Sequence, residues 1–404
     1  MVRNMTRRGL LGRGAAMIGC STAAHPLLST VTLASAQWDT RLVVMILRGA
    51  MDGLDVVRPV GDPAFAALRP GLLGAPGLPL DGFYEMHPAL APLQPLWRSE
   101  QLGFVHAVST PYRDKRSHFD GQDLLEAGTG MDVPLAARRE GWLNRLLQGL
   151  PGLDSQTAFA IGRDEMKVLS GSAPVMNWVP SVSLTVSPQS RLLLEQLYHA
   201  DPLFRDAALE AIELTELAVP DATSERGRAL AQMVGEGGQN AMIRSLAGFA
   251  AERLFQDTRI AAFSLGGWDT HRRQDSTLPK ALGQLADAIL TLQTGLGPVW
   301  GKTVVIAMTE FGRTVRENGS KGTDHGTGGA MIFAGGALRG GRVLGRWPGL
   351  DEADLYARRD LLPTGDVRSY AAWALRDAFG IDRAVLEGMV FPGLTLGDNP
   401  GLLR

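Results

Sequence analysis

The chain has 404 residues, is 45% hydrophobic and 20% charged, and carries a net charge of −2. This balance belongs to a globular protein and excludes a disordered or fibrous one, while the near-neutral charge gives no electrostatic ground for nucleic acid or an anionic membrane as a partner. A single cysteine, Cys20, excludes a disulfide framework.

Residues 1–36 read as an export leader. Arg3, Arg7 and Arg8 precede an apolar and small-residue stretch from Gly9 to Leu33, which closes on Ala34-Ser35-Ala36, a small-residue cleavage site. The pair Arg7-Arg8, after Thr6 and before Gly9-Leu10-Leu11, is similar to a twin-arginine signal, whose pathway carries folded proteins. The expectations are a mature N-terminus near Gln37, twin-arginine export machinery as a partner, and a periplasmic or otherwise exported product. Cys20, after Ile18-Gly19, is a weak candidate for lipid attachment. Cleavage after Ala36 removes it and leaves no thiolate for metal binding or nucleophilic attack. Arg13, His25 and Pro26 interrupt the leader, and no other segment approaches the roughly 20 uninterrupted apolar residues of a spanning helix, so no transmembrane span is expected.

Beyond the leader the pattern alternates strands and helices. Leu42 to Leu47 is a continuous apolar run that suits a strand buried on both faces of a parallel sheet, and it leads into Arg48-Gly49-Ala50-Met51-Asp52-Gly53-Leu54-Asp55. A short helix is predicted over Asp62 to Arg69, a Pro/Gly-rich loop from Pro70 to Gly82, and an amphipathic helix over His87 to Trp97. Leu102 to Val108 reads as the next strand, and Ser117 to Glu126 as the helix after it. Short strands are expected between Ala158 and Val186, and mainly helix from Ser190 to Gln256.

Ile260 to Leu265 is a third apolar strand, breaking at Gly266-Gly267 before Trp268, Asp269, Thr270 and His271. A helix from Leu278 to Leu296 aligns Leu282, Leu285, Ile289 and Leu292 on one face. Thr303 to Met308 then delivers Thr309-Glu310-Phe311-Gly312-Arg313, with Asp324-His325-Gly326 close behind.

Three strand ends therefore carry carboxylates, and two bring a histidine. Parallel sheets bind ligands beyond the carboxyl ends of their strands, and carboxylate with imidazole is a donor set for zinc, with manganese, iron or calcium as alternatives. The expected ligands are Asp52, Asp269, His271, Glu310 and His325. Gly49, Gly53, Gly266, Gly267, Gly326, Gly328 and Gly329 flank them, which suits tight turns and close backbone approach. His87, His106 and His199 lie outside these motifs and read as structural.

Together Leu47-Arg48-Gly49-Ala50-Met51-Asp52-Gly53-Leu54, Arg116-Ser117-His118-Phe119-Asp120, Gly266-Gly267-Trp268-Asp269-Thr270-His271 and Thr309-Glu310-Phe311-Gly312-Arg313-Thr314 with Gly322-Thr323-Asp324-His325-Gly326 carry a resemblance. The chain resembles a family of exported bacterial proteins numbered as domain of unknown function 1501, within the alkaline phosphatase and sulfatase-like superfamily. The resemblance implies an α/β fold, an αβα sandwich with a mostly parallel central sheet, as one domain over 37–404. It also implies a one- or two-metal site hydrolysing phosphate or sulfate esters, with a small anionic ester as substrate. Asp52 looks like the superfamily's first-strand aspartate, and Asp269, His271 and His325 like its later ligands. Phe311 stands where a histidine ligand is usual after Glu310, so Asp324 and His118 are the candidates to complete the set. Ser117 looks like the nucleophile at a helix N-terminus, with Thr110 as alternative, although a serine in that position also suits a plain helix cap. Arg313 and Arg116 are candidate clamps for an anionic ester. Two functions remain open: a metal-dependent hydrolase, or a non-catalytic exported protein that uses the same fold for binding, assembly or secretion.

Overall fold

The computed structural model describes residues 39–133, 138–150, 157–162, 166–178, 223–235 and 240–404. The expected leader, His199 and the helical stretch expected over 190–222 lie outside them. Twelve strands occur among the described residues: β1 (Arg41–Leu47), β2 (Val57–Arg58), β3 (Leu78–Pro79), β4 (Glu85–Met86), β5 (Leu102–Ser109), β6 (Ala158–Ile161), β7 (Met176–Trp178), β8 (Ile260–Leu265), β9 (Thr303–Met308), β10 (Gly329–Ala334), β11 (Val343–Leu344) and β12 (Gly365–Asp366). Nine form one sheet in the order β11-β5-β10-β9-β1-β8-β6-β7, with β12 also paired to β5. The short strands β2, β4 and β3 make a separate antiparallel sheet, which places one strand inside the loop expected from Pro70 to Gly82.

The large sheet is mostly parallel because its strands are apolar on both faces. β1 is wholly buried. Its Val43, Met45 and Leu47 pack into one core with the helices Ala241–Phe255 and Gln274–Leu296, whereas Leu42, Val44 and Ile46 pack into a second core with the helices Trp142–Gln148 and Val367–Phe379. The period-2 alternation of strand side chains thus divides one run between two layers, giving the helix–sheet–helix arrangement. Leu282, Leu285, Ile289 and Leu292 are fully buried, as their spacing predicts, and each contributes about 1.5–3 kcal/mol of burial. The helix begins at Gln274, one turn before the expected Leu278. His87 to Trp97 is a 3-10 turn, Pro88–Leu93, followed by a short helix, Gln94–Arg98, because Pro92 and Pro95 remove backbone donors that a single α-helix needs.

β1 pairs in parallel with β8 and β9, with Leu47 opposite Leu265 and Ile46 opposite Met308. Their carboxyl ends therefore share one edge. β10 alone runs antiparallel, between β9 and β5, with Gly329 opposite Val108. It enters from that same edge, so the residues preceding it join the residues that follow the parallel strands.

His106 lies within β5, fully buried, with Nε2 donating to the Val57 carbonyl at 2.9 Å and Nδ1 accepting the Ala107 N–H at 2.8 Å. Burial pushes its pKa down to about 4. The unfolded chain therefore binds the proton first, and the stability that the neutral ring contributes is present above pH 6.5 and is lost as pH falls toward 4. Two and a half units correspond to on the order of 3 kcal/mol. A His106→Gln variant, uncharged throughout, is expected to lose less stability than the parent between pH 7 and pH 4.5 in chemical denaturation. Equal losses in the two proteins would remove His106 as the acid-sensitive group.

Candidate metal centre

Segments from three places in the chain meet at the carboxyl edge. Beyond β8, Gly266-Gly267 turns the chain out, Trp268 is buried, and Asp269 and His271 emerge on either side of buried Thr270. Between β9 and β10 lie Glu310, Arg313, Asp324 and His325. After β5, Ser117 caps the helix His118–Ala127, its hydroxyl accepting the Asp120 N–H, and His118 opens the first turn.

Imidazole nitrogens and one carboxylate converge there. His118, Asp269 and His325 each offer a ligand atom within 4.8 Å of the others. The Asp269 carboxylate lies 3.6 Å from His118 Nε2, 3.5 Å from His325 Nε2 and 3.2 Å from His271 Nε2, and the Nε2 atoms of His271 and His325 are 2.9 Å apart. A tetrahedral ion with bonds near 2.0 Å needs ligand atoms about 3.3 Å apart.

The outer nitrogens decide the tautomers. His118 Nδ1 contacts Glu310 Oε1 at 2.8 Å, His271 Nδ1 contacts Asp324 Oδ1 at 3.1 Å, and His325 Nδ1 contacts the Arg116 carbonyl at 2.9 Å. Ionised carboxylates and carbonyls only accept, so each Nδ1 carries a proton and each ring turns its Nε2 toward Asp269. His118 Nε2 is buried without a hydrogen-bond partner. Two Nε2 atoms 2.9 Å apart beside a carboxylate need a shared proton or a cation between them. The donor set and its spacing fit a divalent metal, and an acceptor behind each imidazole is the arrangement that orients metal-bound histidines.

The charges are tuned in the same sense. Burial disfavours ionised Glu310, but hydrogen bonds from His118, its own backbone N–H, Gln122 and Thr309 outweigh it and hold the carboxyl below its usual range. Asp269 is likewise lowered: burial opposes, while the Arg313 guanidinium, 2.5 Å away, prevails. His325 is lowered first by burial, against the Arg116 carbonyl, and then by its surroundings, the Arg313 guanidinium among them. That keeps it in the neutral, donor-competent form.

Several expected residues take other places. Glu310, expected among the ligands, is fully buried; Oε1 accepts from Gly49 N, His118 and Gln122, and Oε2 from Thr309. It orients a histidine from behind, as Asp324 does for His271. Asp52 stands apart, ion-paired to buried Arg69 at 2.5 Å and accepting from Gln274. Arg313 is 1% exposed and donates to the carbonyls of Gly49, Ala50, Trp268 and Thr323 as well as to Asp269. It is a buried tie between loops. Thr110 donates to the Glu310 carbonyl. Phe311 is buried and stacks on His118 with 5.2 Å between ring centres and on Tyr112 with 5.9 Å, forming an apolar floor under the imidazoles. Gly49, at φ +120°, is held close by a neighbouring loop: a Cβ there would lie 2.6 Å from the Asp269 backbone nitrogen. His118, a secondary candidate by sequence, is thus central, and Gln122, one turn further along the same helix face, was not anticipated.

Among the described residues no helix is long and apolar enough to cross a membrane. No curated protein matches the chain. Among solved structures it is similar to the lipoteichoic acid synthase LtaP from Listeria monocytogenes, at 8% identity and a TM-score of 0.39, over 88% of this chain and 75% of that one. The family model described as "Protein of unknown function (DUF1501)" matches residues 107–390, and the chain belongs to that family.

Proposed function

We propose that the protein is an exported metal-dependent hydrolase of phosphate- or sulfate-type esters, with one divalent ion, zinc by preference, held by His118, Asp269, His271 and His325. The observation that carries this reading is the convergence of three imidazole Nε2 atoms on the Asp269 carboxylate, each ring fixed from behind by an acceptor. Three nitrogens and one oxygen suit zinc better than calcium, which takes six or more oxygens. Such an ion supplies Lewis-acid polarisation of an ester oxygen. The Arg69 guanidinium already neutralises Asp52, so the described residues offer one metal site.

The chain's own residues do the rest. Asp269 and His271 have side chains 48% and 39% exposed and form the open side, where an anionic ester approaches. Ser117 precedes His118 at the N-terminus of a ten-residue helix, whose dipole favours a developing oxyanion, and is the proposed nucleophile. Export through the twin-arginine pathway, resting on Arg7-Arg8, lets the folded chain acquire its metal first.

A non-catalytic reading has one observation in its favour. Four protein donors around one ion make the closed set typical of structural zinc, whereas catalytic sites keep a position open. Metal analysis of protein recovered from the exported fraction, followed by a screen of phosphomonoesters, phosphodiesters and sulfate esters, separates the readings. One metal per chain with turnover that Ser117→Ala abolishes is the expected result. Metal without turnover favours the binding or assembly role, and absence of metal sinks both forms of the site.

A further inference from the structure

A buried amide links the loops that carry three of the four proposed donors. Gln274, the first residue of the helix Gln274–Leu296, is fully buried, and its backbone N–H donates to the Lys321 carbonyl at 2.7 Å. Its side-chain oxygen accepts from Thr270 Oγ1 at 2.8 Å and Thr323 Oγ1 at 2.7 Å, while its nitrogen donates to Asp52 Oδ2 at 2.6 Å and Asp55 Oδ2 at 3.0 Å. Carboxylates cannot donate, so the amide nitrogen must face the two aspartates, and the oxygen is left for the two hydroxyl protons. Thr270 separates Asp269 from His271, and Thr323 immediately precedes Asp324 and His325. The Thr323 N–H also donates to the Thr270 carbonyl at 3.1 Å. On the other side, Asp52 is paired to Arg69 at 2.5 Å and Asp55 to Arg58 at 2.8 Å, which anchors the pair in the protein interior.

Resting on the metal reading above, we propose that Gln274 is a positioning residue for the metal centre, setting the Asp269–His271 loop and the Asp324–His325 loop at one spacing from a fixed, charge-neutralised aspartate pair. No other side chain of this size both accepts two hydroxyl protons and donates to two carboxylates. Glutamate has the same shape but presents a third carboxylate oxygen to Asp52 and Asp55 and has no donor for either. The loops then separate, and the 2.9 Å approach of His271 and His325 is lost.

The test uses Gln274→Glu and Gln274→Ala in the full-length protein, loaded with zinc or with cobalt(II). Metal affinity is read by chelator competition, the coordination geometry by the visible absorption of the cobalt form, and the stability of the metal-free protein by chemical denaturation. Both variants are expected to bind metal about 10–100-fold more weakly, the range for losing an outer partner of a ligand, with altered cobalt bands. Thr291→Val, on the same helix with a buried hydroxyl that has no partner, should keep the parent affinity and bands. Thr270→Val and Thr323→Val each remove one strut at constant shape and should weaken binding by a smaller factor, which keeps the proposal testable if Gln274→Glu does not fold. Parent affinity and parent bands in the Gln274 and threonine variants would overturn the positioning role alone. A parent protein that binds neither metal would overturn the metal centre, and the positioning role with it.

Discussion

Replacing His325 with alanine is expected to abolish stoichiometric metal binding and, with it, ester turnover. His325 Nε2 lies 2.9 Å from His271 Nε2 and 3.5 Å from Asp269, so its loss removes a donor from the middle of the set. Outer partners of ligands are worth about 10–100-fold in affinity, and a direct donor exceeds that range. The fold should tolerate the change, because the ring is partly exposed and its backbone carbonyl continues to accept from Arg359. The control is Thr291→Val, whose buried hydroxyl has no hydrogen-bond partner, and it should retain the parent metal content. Elemental analysis after dialysis reads both. A His325→Ala protein that still carries one metal per chain would end the assignment.

Arg313→Ala should act on stability rather than on substrate affinity. The guanidinium is 1% exposed and satisfies four carbonyls together with Asp269. Truncation leaves the four carbonyls buried without this donor, and such losses cost on the order of 3–5 kcal/mol. Lysine has one ammonium in place of a planar fork and cannot serve acceptors on both sides, so Arg313→Lys should recover little. Denaturant midpoints check the claim. A variant with unchanged midpoint and a raised KM alone would restore Arg313 as a substrate clamp.

The central strands were legible because a strand buried on both faces writes a mainly apolar run, and β1, β5, β8 and β9 all do. β10 was not. Its Gly-Ala-Met-Ile-Phe-Ala follows Gly326 to Gly328, glycines that read as turns around a donor, and nothing local in a buried run indicates an antiparallel direction. The helix Val367–Phe379 also went unread, though an Asp366 cap, apolar spacing at Val367, Ala371, Ala374 and Leu375, and Gly380 just past its end signal it. At the site, sequence identified the segments but not the layers within them. Glu310 and His325 are both polar residues on glycine-rich loops, yet one reaches inward to orient and the other outward to bind. Only the partners of each atom separate them.

The antiparallel insertion of β10 between β9 and β5 has a consequence for assembly. His118, Asp269, His271 and His325 belong to connections spread across the sheet, and all three segments meet only when β5, β10, β9, β1 and β8 are laid side by side. A topology of such high contact order closes late in folding. An unfolded or half-folded chain therefore presents no complete donor set to an ion. On the proposed metal reading, ion capture reports completion of the fold and adds its binding free energy to the native state alone. The proposed ion would be a thermodynamic latch on a finished sheet.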